Sequence, residues 1–306
     1  MDGQAITKGP GGTYTHHRGI FFGWMRVGLE GQKLDLWSMG SGRQVHTGFK
    51  QQTAERGLAR LVSTIEWSDK KGRLILSEER TLELSPLAAP GFLRVDFLTT
   101  VKAEAGDLAL EADPEHGGVH YRAPQEVATA KTNYFFPVAK PLPHKDVDYP
   151  WVGMTYALGE KTFGVVEIDH PANPRGTRWS AYRDYARFGA YPHANLKKGE
   201  TLSLKYRFLV ARGGLVPTEV IQAEQAAFTG VKSAPVTVTE LKAEVTPAPT
   251  AGATRIPPLA RLAAPARLTV RPPAVAKRRE LATAPAATVL VVRTSTLAPA
   301  LQVLPT

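Results

Sequence analysis

Between residues 18 and 212 apolar and polar positions alternate in repeated short runs, the mark of half-buried strands. Leu93, Val95 and Phe97 are set against Arg94 and Asp96, and Leu202, Leu204, Tyr206, Phe208 and Val210 against Ser203, Lys205 and Arg207. Segments 58–67 and 73–84 flank Asp69-Lys70-Lys71-Gly72, a polar turn ending in glycine, which predicts a hairpin. Further strands are expected at 20–27, 33–39, 44–49, 107–111, 119–122, 151–158 and 162–168. No helical period falls between them, which argues against a parallel α/β sheet.

One helix is expected, over 217–228. Pro217 suits a first turn, Val220, Ile221, Glu224, Ala227 and Phe228 recur at helical spacing, and Gly230 sits where a left-handed cap would end it. A dozen or so strands in about 200 residues exceed those of an immunoglobulin sandwich, so the predicted class is all-β: a large antiparallel β-sandwich with one short helix.

Composition divides the chain. Residues 231–306 hold ten Lys or Arg against three acids, while all 25 aromatic residues and all eight histidines precede them. Most of the net charge of +10 therefore belongs to the tail, and the segment before it is nearly neutral. A segment without aromatics and rich in Ala, Pro and Arg buries too little to order itself, so a β-sandwich domain at 1–230 and a disordered tail at 231–306 are expected, with 289–292 as the tail's one strand candidate. The patch Lys277, Arg278, Arg279 has no aromatic beside it to stack on bases, and no nucleic-acid partner is expected. No apolar run approaches the length of a membrane span, and 1–10 lacks the regions of a signal peptide. With no cysteine, disulfides, thiolate metal sites and cysteine nucleophiles are excluded.

Polar chemistry gathers in three blocks. In the first, His16, His17 and Arg18 precede a Phe-Gly-Trp run. Adjacent residues in extended chain face opposite ways, so the two histidines share a metal only if the backbone turns there. In the second, Asp113 to Arg122, a straight strand would hold His116 and His120 about 13 Å apart, too far for one metal. Alternation puts His120 and Arg122 on one face, as a proton carrier and a charge stabiliser. The third, Asp169-His170-Pro171-Ala172-Asn173-Pro174-Arg175 running on to Arg183 and Tyr185, is a rigid loop with donors and flat faces suited to sugars. A lone His46 reads as a packing residue.

At these blocks, together with His46 and Trp67, the sequence resembles the bacterial PmoA-like family, often labelled "methane oxygenase PmoA". The resemblance covers about residues 2–213, and its His-Pro-x-Asn-Pro-Arg block is the most specific part. It implies a galactose-mutarotase-like supersandwich, company with sugar-degradation genes, and a periplasmic or secreted location. Relative to that family's pattern the start is expected to be truncated and the tail to be a frame read out of phase. The label's methane chemistry conflicts with the residues, because a particulate methane oxygenase subunit needs apolar spans.

Two function classes follow. One is a carbohydrate-active enzyme of lyase, hydrolase or epimerase type. Its catalytic residues would be His120, His170 and Arg122, and its substrate-binding residues His16, His17, Arg18, Asn173, Arg175, Arg183 and Tyr185; of these, His16 or His17, Arg18, His120, Arg122, His170, Asn173 and Arg175 are expected to converge on one cleft. The other is a noncatalytic sugar-binding module with Trp24, Trp151 and Trp179 as stacking platforms. No organic cofactor is expected; a divalent metal held by histidines is a secondary expectation, and the partner is a small sugar or glycoside.

Overall fold

The structure, a computed structural model, describes residues 4–245, 288–294 and 299–305. The chain opens with β1 (Ile20–Trp24), β2 (Arg26–Leu29), β3 (Gln32–Leu34), β4 (Gly42–Glu55), β5 (Leu58–Asp69), β6 (Leu74–Ser85), β7 (Gly91–Ala103), β8 (Leu108–Glu111) and β9 (Gly117–Arg122). A single 3₁₀ turn precedes β10 (Asn133–Phe136), β11 (Trp151–Leu158), β12 (Lys161–Asp169), β13 (Arg178–Ser180), β14 (Arg187–Tyr191), β15 (Ala194–Leu196) and β16 (Thr201–Arg212). The helix α1 (Thr218–Thr229) follows, then β17 (Thr239–Lys242), β18 (Thr288–Thr294) and β19 (Pro299–Pro305).

These strands build an all-β sandwich in which neighbouring strands run antiparallel. A nine-stranded sheet, β17-β10-β11-β12-β16-β7-β6-β5-β4, forms one layer; a six-stranded sheet, β13-β14-β9-β1-β18-β19, and a four-stranded one, β15-β8-β2-β3, form the other. Alternation decides which side chains meet between them. Val95, Phe97 and Val101 of β7 face Ile20, Phe22 and Trp24 of β1 and Val119 and Tyr121 of β9 in one apolar core. Phe22 lies with its ring 4.8 Å from Trp24 and 5.3 Å from Trp67, edge on, the preferred aromatic geometry.

The hairpin read from the sequence is β5–β6, closed by Asp69, whose Oδ1 accepts the N–H groups of Lys71 and Arg73. The helix is also where its punctuation places it: Pro217 is its N-cap, and Gly230 at φ 72° ends it, donating to the Ala226 carbonyl. Ile221 of α1 packs on Trp151, Val166, Ile168 and Leu209, so the helix covers the face of the nine-stranded sheet turned away from the main core.

Two expectations change. The strand expected at 33–39 stops at Leu34, because Asp35 Oδ1 accepts the N–H groups of Trp37 and Ser38 and turns the chain. Strand formation continues past residue 230: β17 adds to β10 with Tyr134 opposite Leu241, and the 289–292 expectation falls within β18, which pairs with β19. The tail expectation for 246–287, 295–298 and 306, including the Lys277-Arg278-Arg279 patch, lies outside the described residues. No helix among the described residues is long and apolar enough to cross a membrane.

Candidate functional site

The six-stranded sheet supplies the floor. Its β1 and β9 send Ile20, Phe22, Val119 and Tyr121 into the core, so Phe21, His120 and Arg122 point out of the opposite face. The register sets Phe21 opposite His120, His120 opposite Gly189, and Arg122 opposite Arg187. Glycine at 189 is required: a Cβ there would overlap the Val119 carbonyl oxygen and stand 2.5 Å from Cδ2 of His120. Glycine at 23 does the same for the chain crossing β1, since a Cβ would lie 2.7 Å from the Leu36 carbonyl oxygen and 3.2 Å from Cα of Trp37.

The walls come from loops. Trp37, carried out of β3 by the Asp35 turn, packs 4.8 Å from Phe21 and 4.7 Å from His120, ring to ring. Segment 7–19 is pinned by Lys8, whose N–H donates to the Arg122 carbonyl while its Nζ donates to the carbonyls of Gly11 and Tyr14. It lays His17 4.9 Å from Phe21, 6.0 Å from Trp37 and 4.3 Å from His16. On the far side Tyr185 stacks 5.2 Å from Tyr14, and the guanidinium groups of Arg122 and Arg187 lie 5.0 and 5.5 Å from its ring centroid. The turn Asp113 to His116 completes the rim, with His116 Nδ1 2.6 Å from Asp113 Oδ1 and the His116 ring 6.1 Å from Trp37.

Electrostatics fix protonation. Arg187 Nη1 donates to Nδ1 of His120 at 3.0 Å, so the proton of the neutral ring sits on Nε2. Burial, with Arg187 beside it, holds the His120 pKa well below the usual histidine value. Burial and neighbouring His16 do the same to His17, and burial with His116 lowers His16 to about 4. All three rings are therefore neutral near pH 7. Glu115 is the counter-charge, paired with Arg183 and lying 3.3 Å from Arg187.

Five buried polar atoms here have no partner: Nδ1 and Nε2 of His17, Nε1 of Trp37, Nε2 of His120 and Nε of Arg122. Each such atom is unfavourable by about 1–3 kcal/mol in an apolar setting. Together they present donors and acceptors between aromatic faces, the requirements of a polyol or carbonyl ligand.

The expected single cleft divides. His16, His17, His120, Arg122 and Tyr185 come together, and Arg183 joins at the rim through Glu115 and a cation–π contact 5.3 Å from Tyr182. Arg18 stays at the edge, its Nε donating to the Thr15 carbonyl. His170, Asn173 and Arg175 form a separate set with no described contact to the first. The His170 ring lies 5.3 Å from Phe228 of α1, on the far side of the nine-stranded sheet, and its Nδ1 accepts from Ala172 N–H. Asn173 is a clasp, donating to Asp169 Oδ1 and the Lys205 carbonyl and accepting from Lys205 N–H. Arg175 is exposed, 3.6 Å from Asp148. The two prolines made a rigid loop whose polar groups are spent on holding it.

Trp24, Trp151 and Trp179, the expected stacking platforms, are completely buried; Trp37, 1% exposed, is buried too and packs against His120 in the wall of this cluster. Sequence reading also passed over Phe21, Glu115 and Arg187. Arg187 carried no alternation signal, because Tyr185 lies in the 184–186 turn, where Ala186 has φ 54°, and the strand begins only at Arg187. Among the described residues no three His, Asp or Glu side chains group closely enough to hold a metal ion.

Solved structures with a similar course of the chain include three. They are a putative kojibiose phosphorylase from human microbiome (8% identity, TM-score 0.33, 64% of this chain and 23% of that one), a heparan sulfate lyase HepC mutant from Pedobacter heparinus (13%, 0.30, 63% and 24%), and a galactose 1-epimerase from Lactobacillus acidophilus NCFM (8%, 0.35, 69% and 86%). The chain thus spans about a quarter of the length of the first two. No curated protein matches it. A family model matches residues 1–225, nearly three quarters of the sequence, and the chain belongs to that family, DUF6807, a family of unknown function.

Proposed function

We propose that this protein is a carbohydrate-active enzyme that binds a sugar derivative in the recess between Trp37 and Tyr185 and works on it by acid–base chemistry. The observation that carries this reading is the group of unpartnered buried atoms on His17, Trp37, His120 and Arg122, set between aromatic rings. His17 is neutral with an imidazole lone pair to receive a proton, and Nε2–H of His120 is a donor to a carbonyl, ring or leaving-group oxygen. Arg122 and Arg187 supply fixed positive charge where an oxyanion or enediolate would develop. That division of labour suits epimerase, lyase or hydrolase chemistry. The PmoA-like resemblance is kept in this reading for its association with sugar degradation, not for methane oxidation.

The test is a panel of neutral and acidic monosaccharides and glycosides titrated against the full chain by calorimetry, followed by proton NMR in deuterated buffer. Saturable binding with solvent-deuterium incorporation or product formation, both lost in His17→Gln, is expected. Saturable binding without any chemical change would make the protein a binding module, and no binding by any member would remove sugars from the account.

A further inference from the structure

Arg122 and Arg187 are cross-strand partners on β9 and β14, and both are buried, with 1% and 0% of their surface exposed. Like charges directly opposite in a sheet repel, and burial removes the water that would screen them. Arg187 has a counter-charge in Glu115. Arg122 has no carboxylate among its described partners: its Nη1 donates to the Tyr185 carbonyl, its guanidinium lies against the Tyr185 ring, and its Nε has no acceptor. Glu115 is already shared by Arg183 and Arg187 and makes no described contact with Arg122. Buried Lys8 adds a further cation next to Arg122. Burial lowers the Arg122 pKa to about 10, which leaves it charged at neutrality.

We propose that the sugar taken by this recess carries a carboxylate, as a uronic or aldonic acid does, and that the carboxylate seats on the Nε edge of Arg122 beside Nε2 of His120. This rests on the carbohydrate reading above and narrows it to a substrate class. A guanidinium edge offers two parallel N–H groups that match the two oxygens of a planar carboxylate. The ligand's charge would also relieve the repulsion that the register forces on Arg122 and Arg187.

The full chain is titrated with matched sugars, glucuronate against glucose and galacturonate against galactose, by calorimetry at low and moderate salt. At least one acid is expected to bind about tenfold more tightly than its neutral partner and to weaken as salt is added. Arg122→Gln should bring the two within about threefold, and Arg122→Lys, which keeps the charge and loses the fork, should fall between. Circular dichroism checks that the variants fold; should they not, the acid-to-neutral ratio and its salt dependence in the unaltered protein decide. Equal affinity for acid and neutral members overturns the carboxylate and leaves the carbohydrate reading standing. No binding by any of the four, or inorganic phosphate binding as tightly as the acids in a site that ignores neutral sugars, overturns both.

Discussion

Arg122 and Arg187 stand opposite each other on adjacent antiparallel strands, and the ring of Tyr185 lies against both guanidinium groups, 5.0 and 5.5 Å from its centroid. The ring's negative face is attracted to each cation, which offsets part of their mutual repulsion. Tyr185 thus holds the pair in register as well as lining the recess.

Glu115 is the other restraint on that field. Removing its charge leaves fully buried Arg187 without a counter-ion, and breaking one side of a buried pair is more damaging than never having the pair. Glu115→Gln is expected to lower the unfolding free energy by about 3 kcal/mol, read as a shift in urea midpoint at unchanged slope. A midpoint within error of the parent would show that Tyr185 alone suffices.

The two histidine sets separate in their expected effects. His120→Gln removes the Nε2–H donor that Arg187 orients and is expected to reduce turnover of whichever sugar the panel identifies by at least about 100-fold. His170→Gln alters a ring packed on Phe228, and turnover is expected to stay within about threefold of the parent. Equal losses in both variants would restore the single cleft that the sequence suggested.

The legible parts of the fold were those whose information is local. β7 and β16 alternate because each has one face on the core, and α1 is punctuated by Pro217 and Gly230. β9 and β14 are buried on both faces, so exposure does not alternate along them, and β14 was missed. Site histidines and Arg122 were legible by chemistry and by a family resemblance. Trp37 was not: it reaches the recess through an Asx turn at Asp35 and through the space that Gly23 leaves for it. His170, Asn173 and Arg175 misled for the same reason in reverse: His170 Nδ1 accepts from Ala172 N–H, Asn173 donates to Asp169, and Arg175 lies beside Asp148, partners that only the folded loop brings near.

Gly189 tests how tightly the floor is built. Its missing side chain makes room for the His120 ring and the Val119 carbonyl, and the clash is with backbone, which has nowhere to move in a paired strand. Gly189→Ala is expected to destabilise by about 3 kcal/mol and to displace His120, so that ligand affinity falls along with the melting temperature. Gly31→Ala, where no neighbouring atom lies within 4 Å but φ is +76°, gives a backbone-strain control that leaves the recess untouched. If the two variants lose the same stability and neither loses affinity, the packing account of Gly189 is wrong.

A second buried group of polar atoms lies between the sheets, and its consequence is a pH dependence of folding. Glu167 and Asp169 project two residues apart from β12, with Tyr206 of β16 opposite Asp169 in register. Burial raises the Asp169 pKa to about 7, against the opposing hydrogen bond from Asn173, and burial raises Glu167 well above its ordinary value. Each folded-state pKa lies above the unfolded one, so the folded protein holds these protons more tightly. The resulting stability is fully present below about pH 4 and is lost as pH rises through about 7 for Asp169. Half-buried His16, with its pKa lowered to about 4, and buried His17 and His120, also lowered, act in the other direction by losing stability as pH falls below the usual histidine range, so the parent's own profile mixes opposing contributions. Comparing it with Asp169→Asn isolates the carboxyl. The amide keeps an acceptor for Asn173 and offers a donor toward Tyr206, whose hydroxyl has no described partner. At pH 8 the variant is expected to be more stable than the parent by about 2 kcal/mol, and the gap should close toward pH 5, in urea titrations at both values. Parallel profiles, with the same difference at pH 5 and pH 8, would mean that Asp169 titrates in the folded protein as it does in the unfolded chain.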